Sequence, residues 1–165
     1  MGCDIHAYIE TKAVFDDRDF WDCPMEVHLH RNYTLFSAMA GVKGDLEPVV
    51  PPRGWPKNTS DTVRYKSALF ITDNPGSSEG CCSVEEAQHY GSEVMGTDDS
   101  GAPRLIRHPD WHTPSWLTAE ELELVQRRLE DAGGLRVVEL DAVIAAMEAF
   151  LREYDEVRLV FWFDS

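Results

Sequence analysis

The chain has no long apolar run, no CxxC pair and half as many basic as acidic residues, and each shortage narrows what it can do. No stretch approaches the ~20 apolar residues of a membrane span. The first ten residues alternate polar with apolar and lack the apolar segment of a signal peptide. Cys3, Cys23, Cys81 and Cys82 have no zinc-site spacing, so without an export signal they read as free thiols of a cytoplasmic protein. The start Met-Gly-Cys invites lipidation, but His6 stands where a myristoylation signal needs Ser or Thr. Lys and Arg number 15 against 30 Asp and Glu, a net charge of -15. That field repels polyanions, and no basic patch offsets it, which excludes long nucleic acid as a partner. A small nucleotide is still admissible, because a few local arginines can hold two or three phosphates.

What is present suffices for a real core. At 165 residues, 43% hydrophobic and 10% aromatic, the chain reads as a single domain, 1–165, that needs no disulfide or metal staple. No internal repeat interrupts it. The elements predict an α+β fold: a mainly antiparallel or mixed sheet that includes the N- and C-terminal strands, two or three packed helices, and a long loop insertion.

Residues 1–10 read as a strand with Cys3, Ile5, Ala7 and Ile9 on one face and Asp4, His6, Tyr8 and Glu10 on the other. Thr11 to Asp22 reads as a hairpin turning at Asp16-Asp17-Arg18-Asp19, with Pro24 ending it. His28 and His30 would share a face if extended, as two metal ligands or as two ordinary loop histidines. Asn32 caps a short helix that Gly41 closes, with Phe36, Met39 and Ala40 inward. Arg31 then lies beside free N–H groups, where an anion is favoured. In the Pro-rich stretch 44–62, Arg53-Gly54-Trp55 sets a guanidinium beside an aromatic face, apt for a ligand carrying phosphate and base, or equally a surface arginine beside a core plug.

Tyr65 to Thr72 reads as a strand. The Gly, Ser and acidic stretch 73–102 reads as a surface loop or insertion, with a short helix at Ser83 to Tyr90 capped by Ser83 and Glu86. Arg107 to Thr118 has two prolines, two histidines and two tryptophans, and reads as an irregular pocket-lining loop. Thr118-Ala119-Glu120-Glu121 is a capping box opening a helix that stops at Gly133-Gly134. Leu135 to Leu140 reads as a short strand or linker, Asp141 as the cap of a second helix with an apolar stripe from Val143 to Tyr154, and Val157 to Phe163 as a buried strand.

Four motifs stand together: Met-Gly-Cys-Asp-Ile-His at 1–6, Arg-Asn-Tyr-x-Leu-Phe at 31–36 with Met-Ala-Gly-Val at 39–42, Pro-Arg-Gly-x-Pro at 52–56, and His-x-x-Ser-Trp-Leu-Thr at 112–118. In these the chain resembles a largely uncharacterised family of small bacterial and phage proteins, although Lys57 to Gly101 is a longer connection than theirs. The resemblance implies a site built from Asp4, His6, Arg31, Asn32, Tyr33, Arg53, His112 and Ser115, and a host-cytoplasmic location if the chain is phage-encoded. Asp-Ile-His-x-Tyr at 4–8 also looks like the D-x-H-x-H strand of metal-dependent amidohydrolases. Tyr8 replaces the second histidine, and the chain is too short for their barrel of ~250 residues.

Two imidazoles and two arginines suit phosphodiester cleavage without metal or other cofactor. His6 and His112 are the expected proton-transfer pair, and Asp4 or Tyr33 would orient one of them. Arg31 and Arg53 would hold phosphate, with Asn32 and Ser115 as further contacts and Trp55 or Trp116 stacking a base. The expected substrate is a small nucleotide, cyclic nucleotides included, as for a phage counter-defence protein that degrades a signalling nucleotide. The same pocket could instead sequester the nucleotide intact. A metal hydrolase using Asp4, His6, His28, His30 or His112 is a third reading, and a purely structural role a fourth. Oligomeric state stays open.

Overall fold

The computed structural model describes residues 2–15, 18–76 and 80–164. The chain divides into two compact units, Met1–Val63 with His112–Ser165, and Arg64–Trp111. The fold is α+β, with an antiparallel and a mixed sheet and both terminal strands in the same sheet.

The first unit is built on an antiparallel sheet of β1 (Ile5–Phe15), β2 (Arg18–Val27), β7 (His112–Leu117) and β8 (Glu156–Phe163), in the order β2-β1-β8-β7. Its helices are α1 (Tyr33–Ala40), α4 (Ala119–Gly133) and α5 (Val138–Phe150). One sheet face carries Ile5, Ala7 and Ile9 of β1 with Leu159, Phe161 and Phe163 of β8. It packs against Phe36 and Met39 of α1, Leu122 and Leu129 of α4, and Leu140 and Met147 of α5. The period-two pattern thus placed Cys3, Ile5, Ala7 and Ile9 correctly. Residues 157–163 are buried throughout, with helices packed on one face of β8 and Trp55 against Trp162 on the other.

Local signals set the helix ends. Asn32 Oδ1 accepts from the Leu35 N–H at 3.1 Å, and Gly41 ends α1 at φ 70°, the left-handed region that favours glycine. Thr118 and Glu121 form the expected capping box of α4, and Gly134 its C-cap.

Several expectations are corrected. Pro24 does not end its strand: β2 is an edge strand with an irregular register between Ile9 and Thr11, so a missing N–H breaks no ladder. The expected turn at Asp16-Asp17 lies outside the described residues. Residues 112–117 are a strand, not a loop, because β7 is also an edge and takes up Pro114 in the irregular register between His112 and Ser115. There Thr113 has φ 48°, a strained value for a β-branched residue. Helix α5 begins at Val138 with Val137 as N-cap, and Asp141 instead accepts from Arg136 Nε at 2.8 Å.

Helix α2 (Asp61–Lys66) takes Tyr65 out of the strand expected from 65 to 72, since Ser60 Oγ accepts from the Val63 N–H at 3.2 Å and starts a helical turn. The second unit holds a mixed sheet of β3 (Ala68–Ile71), β4 (Cys81–Cys82), β5 (Val94–Thr97) and β6 (Pro103–Arg107), ordered β4-β3-β6-β5, with α3 (Val84–Tyr90). The stretch 73–102 lies in this unit and carries β4, α3 and β5. Its strands are too short to announce themselves by alternation.

Candidate functional site

The polar row of β1 shares its face with the even-numbered residues of β8, and its two ends differ. At the far end Glu10 is fully buried and meets Arg158, Nε at 2.9 Å and Nη2 at 2.7 Å. Glu10 also accepts from the Ser60 N–H at 2.6 Å, Arg158 donates to the Asn58 carbonyl, and the Arg158 guanidinium lies 3.6 Å from the Trp21 ring centre. Burial pulls the Arg158 pKa down and Glu10 opposes it. The network ties segment 53–60 to the sheet.

That segment also carries Arg53 and Trp55. The Arg53 backbone N–H donates to Ser115 Oγ at 3.1 Å, and its guanidinium pairs with both Glu121 oxygens, donates to the Trp116 carbonyl at 3.0 Å and sits over the Trp116 ring. Burial acts to raise the Glu121 pKa, but the hydrogen bonds from Arg53 and Thr118 and the Arg53 charge outweigh it and hold that carboxyl below its ordinary range. Trp55 packs against Trp162, ring centres 5.1 Å apart. Arg53, Trp55, Ser115 and Trp116, expected to hold a ligand, therefore make a strap over edge strand β7 and the face behind it.

The near end is open. Arg31 and Asp4 form a bidentate pair, Nε to Oδ1 at 2.8 Å and Nη2 to Oδ2 at 2.6 Å, about half exposed. Arg31 holds the Asp4 carboxyl below its ordinary pKa, and Asp4 raises that of Arg31. His6 Nε2 lies 3.1 Å from Asp164 Oδ2, its ring stacked on Trp162. Asp164 Oδ1 accepts from the Asp4 N–H at 2.9 Å, so one carboxylate ties the strand end to the imidazole. Gly2 allows Arg31 to dock: a Cβ there would stand 2.5 Å from Nη1. Asn32 is spent on capping α1, and the half-exposed Tyr33 meets Phe36 edge-on at 6.0 Å. Next to Arg31 lies a cavity of about 490 Å³, lined by Tyr33, Leu35, Leu135 and Val137 and by the polar His30, Arg136 and Glu139 among others.

The expected histidine pair is not assembled. Directly paired residues of neighbouring antiparallel strands share a face. His6 pairs with Trp162 and His112 with Phe163, so the two imidazoles project to opposite faces of the sheet. His112 stacks on Phe163 at 6.0 Å, and its Nδ1 lies 2.9 Å from Thr113 Oγ1. His28 and His30 are exposed beyond the end of β2, with Leu29 buried between them. Among the described residues no three His, Cys, Asp or Glu side chains group to hold a metal ion. No described helix is long and apolar enough to cross a membrane.

Sequence reasoning missed Asp164 and Glu121. Asp164 directly follows the apolar run 157–163, and once that run is paired antiparallel to β1 it must arrive beside Asp4. Glu121 was legible only as a capping residue. Comparison with known proteins finds no matching family model, no matching curated protein and no matching solved structure.

Proposed function

We propose that the chain binds and turns over a small nucleotide at the open end of β1, with His6 as its one proton-transfer group. The observation that carries this reading is the 3.1 Å contact between His6 Nε2 and Asp164, on an imidazole about one third exposed. A carboxylate so placed fixes the orientation of an imidazole. His6 takes the proton of the attacking hydroxyl, from water or an adjacent 2′-hydroxyl, as the new P–O bond forms. The imidazolium returns that proton to the departing oxygen, so one group serves as base and then as acid. Among the described residues Asp4 occupies Nε and Nη2 of Arg31, which leaves Nη1 for a phosphoryl oxygen. The adjacent cavity, where Tyr33 and aliphatic side chains stand beside Asn32, Arg136 and Glu139, takes the base and sugar.

Sequestration without cleavage is the second reading. It is favoured by the position of His112 on the other face, which removes the separate acid of a two-histidine mechanism. Incubation of the protein with a panel of cyclic di- and trinucleotides, following retained ligand and products, decides between them. Turnover by the parent, with His6→Asn retaining ligand but releasing no product, is the expected result. Ligand recovered intact from the parent establishes sequestration, and no retention or turnover of any nucleotide overturns both readings.

A further inference from the structure

The second unit contains a helix that lies along a sheet without filling the space between them. Val84, Ala87, Gln88 and Gly91 recur at the three-four-seven spacing of one helical face, and all four line a cavity of about 340 Å³. Ile71, Ile106 and Val94 of the sheet line the same cavity. A helix packed on a sheet normally buries its inner stripe, yet no residue of α3 is buried. The stripe is too small: alanine and glycine stand where Leu or Phe would reach the floor.

The helix is held by its ends instead. Ser83 Oγ accepts from the Glu86 N–H at 3.1 Å, Glu86 accepts from the Ser83 N–H at 2.7 Å, and Gly91 closes the last turn at φ 60°. Beneath, the buried apolar cluster is Leu69, Ile71, Cys82 and Ile106, with Ala87 against it. With Ala68 and Leu105 these are the buried apolar side chains among the described residues of the unit, a thin core for its size.

We propose that this cavity is a binding site for a compact, uncharged, largely apolar molecule of one or two rings, whose burial completes the core of the unit. Size and charge select that class. The volume is roughly twice the ~150 Å³ that admits benzene in an apolar cavity. Arg104, the cation of the lining, is met by Asp98 at 2.9 Å, Asp73 adds a carboxylate, and the chain carries a net charge of -15, so an anionic ligand is disfavoured. Gln88 and Ser92 are the uncharged polar side chains of the lining that would orient a hydroxyl or carbonyl.

The test is titration of the full-length protein with 2-naphthol and 2-naphthoate, followed through the methyl NMR signals of Ile71, Val84, Val94 and Ile106. Saturable shifts confined to these methyls are expected with 2-naphthol, with binding of 2-naphthoate roughly tenfold weaker or more. Ala87→Phe places a ring in the cavity and should abolish the shifts while raising the unfolding temperature. Should Ala87→Phe not fold, Val84→Ala replaces it, with weaker naphthol binding expected from the lost wall. Four results overturn the proposal: no saturable shift up to the solubility of 2-naphthol, equal binding of 2-naphthoate, binding undiminished in the variant, or concentration-dependent dimerisation through this face without ligand.

Discussion

The two ends of one sheet face use the same chemistry to opposite effect. At the closed end Glu10 and Arg158 pair beside the Trp21 indole, and Arg53 and Glu121 beside that of Trp116. At the open end Asp4 pairs with Arg31, and His6 with Asp164 beside the Trp162 indole. What differs is water. A buried pair must be kept whole, because either partner left alone is a charge in a poor dielectric. An exposed pair adds little to stability, so its groups can serve recognition at little cost to the fold.

The largest loss is expected at Glu10. Glu10→Ala leaves Arg158 buried without its carboxylate, and a loss of about 3–5 kcal/mol is expected. Urea unfolding measures it. A loss below about 1 kcal/mol, the range of exposed pairs, would mean that water reaches this end too and that the contrast is false. Replacing the pair by Glu10→Leu with Arg158→Met should recover part of the loss, since apolar side chains carry no desolvation cost but leave the Ser60 N–H and Asn58 carbonyl without these partners.

The strap is intermediate. Arg53→Ala removes charge-assisted hydrogen bonds that are partly screened, and about 1–2 kcal/mol is expected. The acid side sharpens the comparison. Because Glu121 is held below its ordinary pKa in the folded chain, it binds protons more weakly there than when unfolded. Its contribution is complete above the unfolded value and falls away as pH drops through the lowered folded one. Stability measured from neutral pH down to pH ~3 should therefore decline less steeply in Glu121→Gln than in the parent. Parallel curves would show that the Arg53–Glu121 pair contributes no net stabilisation.

The closed end also shows what a sequence discloses. Alternation and caps report on neighbours in the chain, and they located β1, α1, α4 and β8, with the inward faces of β1 and α1. They could not report that Glu10 meets Arg158, or that Arg53 meets Glu121, because those contacts depend on register and on the path of segment 53–60. An arginine held by a carboxylate and one held ready for phosphate have the same letters around them. His6 and His112 failed as a pair for the same reason. A one-residue difference in register decides the face, and sequence spacing does not fix register between distant strands.

The smallest stability effect, and the most informative, is expected at Gly2. A Cβ at this position would stand 2.5 Å from Arg31 Nη1 and 2.9 Å from its Cζ, so in Gly2→Ala the guanidinium must move. Arg31 is a half-exposed side chain with soft torsions and can swing into solvent. The fold should hardly register the change, and the urea midpoint should stay at the parent value. Recognition should register it fully, because Nη1 is the edge assigned to the phosphoryl oxygen and its direction is set by the Asp4 clamp. A nucleotide that the parent retains should be retained weakly or not at all by Gly2→Ala, while a variant on the distant strap such as Glu121→Gln retains it. Equal retention by Gly2→Ala and the parent would place the ligand away from Arg31. A lowered urea midpoint would show that the Asp4–Arg31 pair braces the fold, and the open end would then differ from the closed one only in degree.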